Sequence, residues 1–172
     1  MLHFEDTEDK HDSSLRLLES YLKEDRIEYH NRGSMFVVRY TTVWEGHFRV
    51  YLSVQPDGEV LFSVGWIIEW EKKYHHQHQV LTLLNAFNSE RGRITYFVGQ
   101  VDAGMELAAT SYLSSFELEV REVYDKRMKV FAAAAEALMY RYMLLQSTQV
   151  SGARISVPEA YAAEVPTFSG LA

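Results

Sequence analysis

Leu15, Leu18 and Leu22, with Tyr21 beside them, recur at helical spacing and share one face. The pattern predicts a first helix that starts near Asp12, Ser13 or Ser14, any of which suits an N-cap, and ends at Asp25-Arg26. Asn31-Arg32-Gly33-Ser34 reads as a turn. The period then changes to two. Strands are expected over Met35–Val43, His47–Val54 and Val60–Ile68, with Pro56-Asp57-Gly58 as a hairpin turn. In the second of these strands Phe48, Val50, Leu52 and Val54 point one way, and His47, Arg49, Tyr51 and Ser53 the other. A second helix over Gln77–Asn88 turns Val80, Leu83, Leu84 and Phe87 inward. Two more strands follow, Ile94–Val98 and Met105–Leu113, joined around Asp102-Ala103-Gly104. A long last helix over Leu118–Leu145 carries Val120, Tyr124, Met128, Phe131, Ala135, Leu138, Tyr142 and Leu145 every three or four residues. The Ala132–Ala135 run favours helix and allows close approach to a sheet.

One strand breaks the clean alternation. Val60, Phe62, Val64, Trp66 and Ile68 form an apolar face, yet the opposite face, Leu61, Ser63, Gly65 and Ile67, is only half polar. A sheet with one wet face alternates apolar-in and polar-out, so this second face is expected to be covered by a tail or by another chain. Tyr51, Leu61, Ile67 and Trp70 are the candidate partner-binding residues. Trp44, Trp66 and Trp70, with Tyr40, Phe48 and Tyr51, make this region rich in aromatics, which serve cores and interface hot spots alike.

The chain divides into an acidic flexible arm (1–12), one α+β domain (13–145) and a C-terminal tail (146–172). In the tail Ser156-Val157-Pro158-Glu159 suits the start of a short helix, and Tyr161, Val165 and Phe168 are candidates to dock on the half-apolar sheet face. With 172 residues, 47% hydrophobic and 24% charged, the composition is that of one globular domain. The formal charge of −7 argues against nucleic acid as a partner. The absence of cysteine excludes disulfides, thiolate catalysis and cysteine-ligated zinc, and is compatible with a cytoplasmic location. No secretory signal is read at the acidic N-terminus, and no stretch approaches the ~18–20 apolar residues of a membrane span.

The element order α-β-β-β-α-β-β-α over residues 13–145 resembles the fold of type III secretion chaperones and of the YbjN-like proteins, grouped as candidate bacterial sensory transduction regulators. The resemblance centres on Leu83-Leu84-Asn85-Ala86-Phe87-Asn88, similar to that family's x-x-N-x-[WF]-N helix end. Ile94–Val98 and Met105-Glu106-Leu107 resemble its paired strands, Phe131 the aromatic of its last helix, and Glu28-Tyr29 its approach to the first strand. The resemblance implies an acidic, homodimeric bacterial protein that binds another polypeptide or acts in regulation. It brings no catalytic residues and no cofactor. Asn85, Phe87 and Asn88 are its motif positions, without an assigned role.

Tyr74-His75-His76-Gln77-His78 is the most suggestive chemical cluster. Metal ligands on one helix favour i,i+4 spacing; here the spacings are i,i+1 and i,i+3, so the segment reads as a solvated helix start and no metal is assigned. Asn88 reads as a helix-end cap and Asn85 as a satisfier of nearby backbone. Glu69 with Glu71, and Glu117 with Glu119, read as solvated carboxylates near element ends. Arg121, Lys126, Arg127, Lys129 and Arg141 read as the wet face of the last helix. Glycines stand singly in turns, with no phosphate loop and no nucleophile elbow. Three functions remain: a non-enzymatic protein-binding module, chaperone-like or adaptor-like; a small-ligand sensor with a pocket between the sheet and the last helix; and a metal-dependent enzyme using the His75–His78 segment.

Overall fold

The computed structural model describes residues 5–42, 46–68, 70, 74–89 and 93–150. Its elements are α1 (Glu5–Glu24), β1 (Tyr29–Asn31), β2 (Met35–Thr41), β3 (His47–Val54), β4 (Val60–Ile68), α2 (Tyr74–Ser89), β5 (Ile94–Val101), β6 (Gly104–Leu113), α3 (Ser115–Leu118) and α4 (Arg121–Val150). The six strands form one antiparallel sheet in the order β1-β2-β3-β4-β6-β5. The α+β class therefore stands, with β1 and α3 added to the expected order.

Alternation sorts the sheet into two faces. The inner face carries Phe36 and Val38 of β2, Val50, Leu52 and Val54 of β3, Val60, Phe62 and Val64 of β4, and Leu107, Ala109 and Leu113 of β6, all buried. Leu18, Tyr21 and Leu22 of α1, Val80, Leu84 and Phe87 of α2, Leu118 of α3 and the inner stripe of α4 pack on them. Burying one such side chain stabilises by about 1.5–3 kcal/mol relative to leaving it in water. Ala132 and Ala135 are fully buried, which brings α4 close to the sheet as the alanine run predicts. Phe131 meets Phe62 at 5.8 Å between ring centroids, so the interface between sheet and α4 is filled by rings.

α1 begins at Glu5, upstream of the start expected near Asp12–Ser14, so residues 5–12 are helix rather than arm. Tertiary contacts hold the segment from Lys10 onward. Gly58 in the β3–β4 turn has φ +84°, and a Cβ there would stand 3.0 Å from Ser14 Oγ and 3.1 Å from the Lys10 carbonyl oxygen. The hairpin turn thus backs directly onto α1 and buries Ser14. His11 Nε2 also lies 3.2 Å from Ser34 Oγ in the β1–β2 turn. At its other end α1 stops at Arg26, in the left-handed region at φ 55°. Ile27 N–H donates to the Leu22 carbonyl at 2.9 Å and Arg26 N–H to that of Lys23 at 3.1 Å, the paired bonds of a helix C-cap.

The Glu117 and α4 readings also change. Ser114 caps α3, with Glu117 completing a capping box, so Glu117 is not a solvated carboxylate. The Ser114 backbone N–H, followed by its hydroxyl and by Arg93, holds the Glu117 carboxyl below its usual range against the opposing effect of burial. Two basic residues expected on the wet face of the last helix hold structure instead. Arg121 pairs with Glu24 at 2.9 Å, with Asp125 at 2.9 Å and with Asp25, and lies 4.6 Å over the Tyr21 ring. Arg127 reaches Ser111 Oγ at 3.2 Å. Val120, expected inward, is 46% exposed because it lies between α3 and α4. α4 continues to Val150, so the tail expected from residue 146 starts no earlier than 151. The short helix and the docking of Tyr161, Val165 and Phe168 concern residues outside those described, as do Trp44, Glu69 and Glu71. Among the described residues no helix is long and apolar enough to cross a membrane.

Candidate partner-binding face

The outer side of the sheet carries none of the helical packing described above. Register places its side chains in rows. Leu61 of β4 stands opposite Tyr112 of β6; Gly65 stands opposite Ala108, which stands opposite Phe97 of β5; Ile67 stands opposite Glu106, which stands opposite Gly99. Ile67 is 55% exposed, Phe97 41%, Val101 38% and Tyr112 54%. Ile67 also approaches the end of β6, where a Cβ on Gly104 would lie 3.9 Å from its Cγ2. The middle of this surface is low, because Gly65, Ala108 and Gly99 offer little or no side chain. Glu106 occupies the hollow. A Cβ on Gly65 would fall 2.0 Å from Glu106 Oε1, so the carboxylate lies across β4 in the room the glycine leaves.

Of the four residues expected to bind a partner, three share this face. Ile67 is the most exposed, while Tyr51 and Leu61 are half-buried on the same side. Trp70 is not with them: it is half-buried, packs on the inner core and sits 6.4 Å from the His76 ring, centroid to centroid. Phe97, Val101 and Tyr112 were not singled out from the sequence. Their only sequence signal is an apolar residue at the outward parity of a strand, and which outward residues adjoin depends on the β4–β6–β5 order.

The outer face has a second feature at its other end. Arg39 of β2 and Arg49 of β3 are a directly opposed cross-strand pair, both exposed. With His30 of β1, His47 of β3, Glu28 and Val37 they line a recess of about 420 Å³. Thr41 Oγ1 lies 3.3 Å from His47 Nδ1. No hydrogen bond or ion pair joins either guanidinium to another described residue.

The motif positions of α2 serve the fold. Phe87 is buried and meets Tyr96 of β5 edge-on at 5.0 Å. Asn88 does more than cap its helix. Its Nδ2 donates to the Tyr96 carbonyl at 2.7 Å, and its Oδ1 accepts from the Tyr96 N–H at 2.9 Å. β5 is the sheet edge, and an edge strand presents unpaired backbone groups. The Asn88 amide therefore pairs with Tyr96 as a further strand would. Asn85 is exposed and away from these bonds.

The histidine segment is not a uniformly solvated helix start. His76 is buried against Trp70 and Tyr142, with its Nδ1 buried and without a hydrogen-bond partner, while His78 is exposed. The His75 side chain lies outside those described. Among the described residues no three histidine, aspartate or glutamate side chains converge in a metal-binding group.

By sequence, no family model and no curated protein matches the chain. Among solved structures, the crystal structure of YbjN from E. coli, a candidate transcription regulator, is similar with a TM-score of 0.61 at 14% identity. The match covers 77% of this chain and 93% of that one. Among the described residues, helices on one side of a six-stranded antiparallel sheet thus form the YbjN-like α+β fold.

Proposed function

We propose that the protein is a non-enzymatic protein-binding module, a regulatory adaptor whose outer sheet face receives another polypeptide. The observation that carries this reading is the exposed apolar set Ile67, Phe97 and Val101 beside Gly65 and Gly99, with exposed Tyr112 beyond the polar row of Ser63, Thr110 and Thr95. Exposed large apolar side chains that share one sheet face suit an interaction surface, and aromatic side chains such as Phe97 and Tyr112 suit anchoring positions. The similarity to a candidate transcription regulator supports a regulatory setting. A second copy of the chain is one such polypeptide, giving the homodimer that the family resemblance implies.

Velocity sedimentation tests this reading, on pure protein and on protein in its native extract, for wild type and for the Ile67→Asp/Phe97→Asp double variant. Both side chains are exposed, so the variant retains its core. The reading expects wild type to sediment above monomer mass in at least one of the two settings and the variant to return to monomer. Wild type that is monomeric in both settings, or a variant that assembles as wild type does, contradicts it.

A second reading, a small-ligand sensor, draws on the recess at Arg39 and Arg49. Its ligand would sit on the outer face, not between the sheet and the last helix, where Phe62, Phe131, Ala132 and Ala135 fill the space.

A further inference from the structure

The Arg39–Arg49 pair is anomalous in this chain. The protein is acidic, with a formal charge of −7, yet two arginines stand opposite each other across β2 and β3. Like charges directly opposed on adjacent strands destabilise a sheet. No described carboxylate offsets them by ion pairing. Arg121 pairs with Glu24, Asp25 and Asp125, and Arg93 with Glu117, while the exposed Arg16, Arg26 and Arg32, like Arg39 and Arg49, make no ion pair with a described residue. What sets Arg39 and Arg49 apart is that they stand opposite each other on adjacent strands and line one recess.

The surroundings favour a small anion. His30 and His47 add ring N–H donors on either side of the arginines, and Thr41 stands beside His47. The recess has a volume of about 420 Å³, enough for a small molecule. Arginine forks match tetrahedral oxyanions with paired N–H donors. Glu28 on the rim and the acidic remainder of the chain oppose an extended polyanion such as nucleic acid.

We propose that Arg39 and Arg49, with His30 and His47, form a binding site for a phosphate-bearing small molecule on the outer sheet face. The inference extends the second reading above and does not depend on the apolar patch, since the recess belongs to β1–β3 and the patch to β4–β6. Bound phosphate neutralises the opposed guanidiniums, so occupancy both satisfies the site and strengthens the β2–β3 pairing.

Isothermal titration with inorganic phosphate, in a zwitterionic buffer at low ionic strength with chloride as the salt-matched control, tests the site. Wild type is expected to show one saturable phosphate site. Arg39→Gln and Arg49→Gln should each weaken it tenfold or more. Arg49→Lys, which keeps the charge but not the fork, should weaken it several-fold. Phosphate should also raise the melting temperature of wild type and leave that of the glutamine variants unmoved. These side chains are exposed, and circular dichroism confirms that the variants are folded. No saturable heat beyond the chloride control, or equal binding by wild type and both glutamine variants, overturns the proposal. Succinate binding as tightly as phosphate overturns the phosphate assignment. None of these outcomes changes the sedimentation result, so the two readings fail independently.

Discussion

Replacing Asn88 with alanine removes two hydrogen bonds in one step, those to the Tyr96 carbonyl at 2.7 Å and from the Tyr96 N–H at 2.9 Å. A net protein hydrogen bond is worth about 1 kcal/mol. Tyr96 lies on an edge strand, so water regains its backbone groups once the amide is gone, and the larger penalty for a buried unpaired group does not apply. The expected loss is therefore about 1–2 kcal/mol, which for a domain of this size lowers the melting temperature by about 2–8 °C. Hydrogen exchange supplies a residue-level readout. The Tyr96 N–H points away from β6 and depends on Asn88 for protection, whereas the neighbouring Thr95 and Phe97 N–H groups face β6. In Asn88→Ala the Tyr96 amide should exchange much faster, with Thr95 and Phe97 still slow. Asn85→Ala, at an exposed position in the same motif, should change stability by less than about 0.5 kcal/mol. Unchanged protection of Tyr96, or an unchanged melting temperature, would refute the edge-pairing role and return Asn88 to the pool of ligand-binding candidates.

Other substitutions probe the remaining local arguments. Arg26→Gly should stabilise by about 0.5–1 kcal/mol, measured by urea unfolding, because φ 55° costs a side-chain-bearing residue more than glycine's added freedom costs the folded state. Glu117 has its carboxyl held below the ordinary glutamate range, so its contribution to stability is complete above that range and is lost as pH falls through the lower folded value. Glu117→Gln should accordingly flatten the acid limb of the stability–pH profile below about pH 4.5; a limb as steep as wild type contradicts this. Gly65→Ala should leave stability within about 1 kcal/mol, since the atom it displaces is the far end of the Glu106 side chain. The same change pushes that carboxylate out over the apolar patch, so it should weaken assembly in sedimentation; strong destabilisation without loss of assembly contradicts the geometry.

Legibility in the sequence followed the strength of the local signal. β3 and β4 fall where alternation and Pro56-Asp57-Gly58 place them, His47–Val54 and Val60–Ile68, because a period of two between strong turn residues has little competition. β1 escaped notice since three residues, Tyr29–Asn31, are too few to show a period. α3 is four residues long, too short to show a period, and Glu117, read as a solvated carboxylate, completes its capping box with Ser114. The β3–β4 turn packs on α1 at Lys10 and Ser14, a contact no local pattern carries. The same limit governs the site. The half-polar face of β4 was visible, and it led to Tyr51, Leu61 and Ile67. Phe97 and Tyr112 join them only because β6 inserts between β4 and β5, so that Ala108 connects Gly65 to Phe97 and Tyr112 stands opposite Leu61. Trp70 keeps the parity of Trp66 and Ile68, the parity of the inner face, and it packs on the inner core accordingly. The Arg39–Arg49 pair likewise required the β2–β3 register.

Site-specific photo-crosslinking in the native cell tests the outer face most directly. A photoreactive side chain in place of Phe97 on β5 reports on that face, and one in place of Lys126, exposed on α4, reports on the opposite side of the molecule. The account predicts a discrete adduct from position 97, with another protein or with a second copy of the chain, and none from position 126. No adduct from position 97, or equal adducts from both positions, would contradict the claim that the open face of the sheet is where this protein binds its partner.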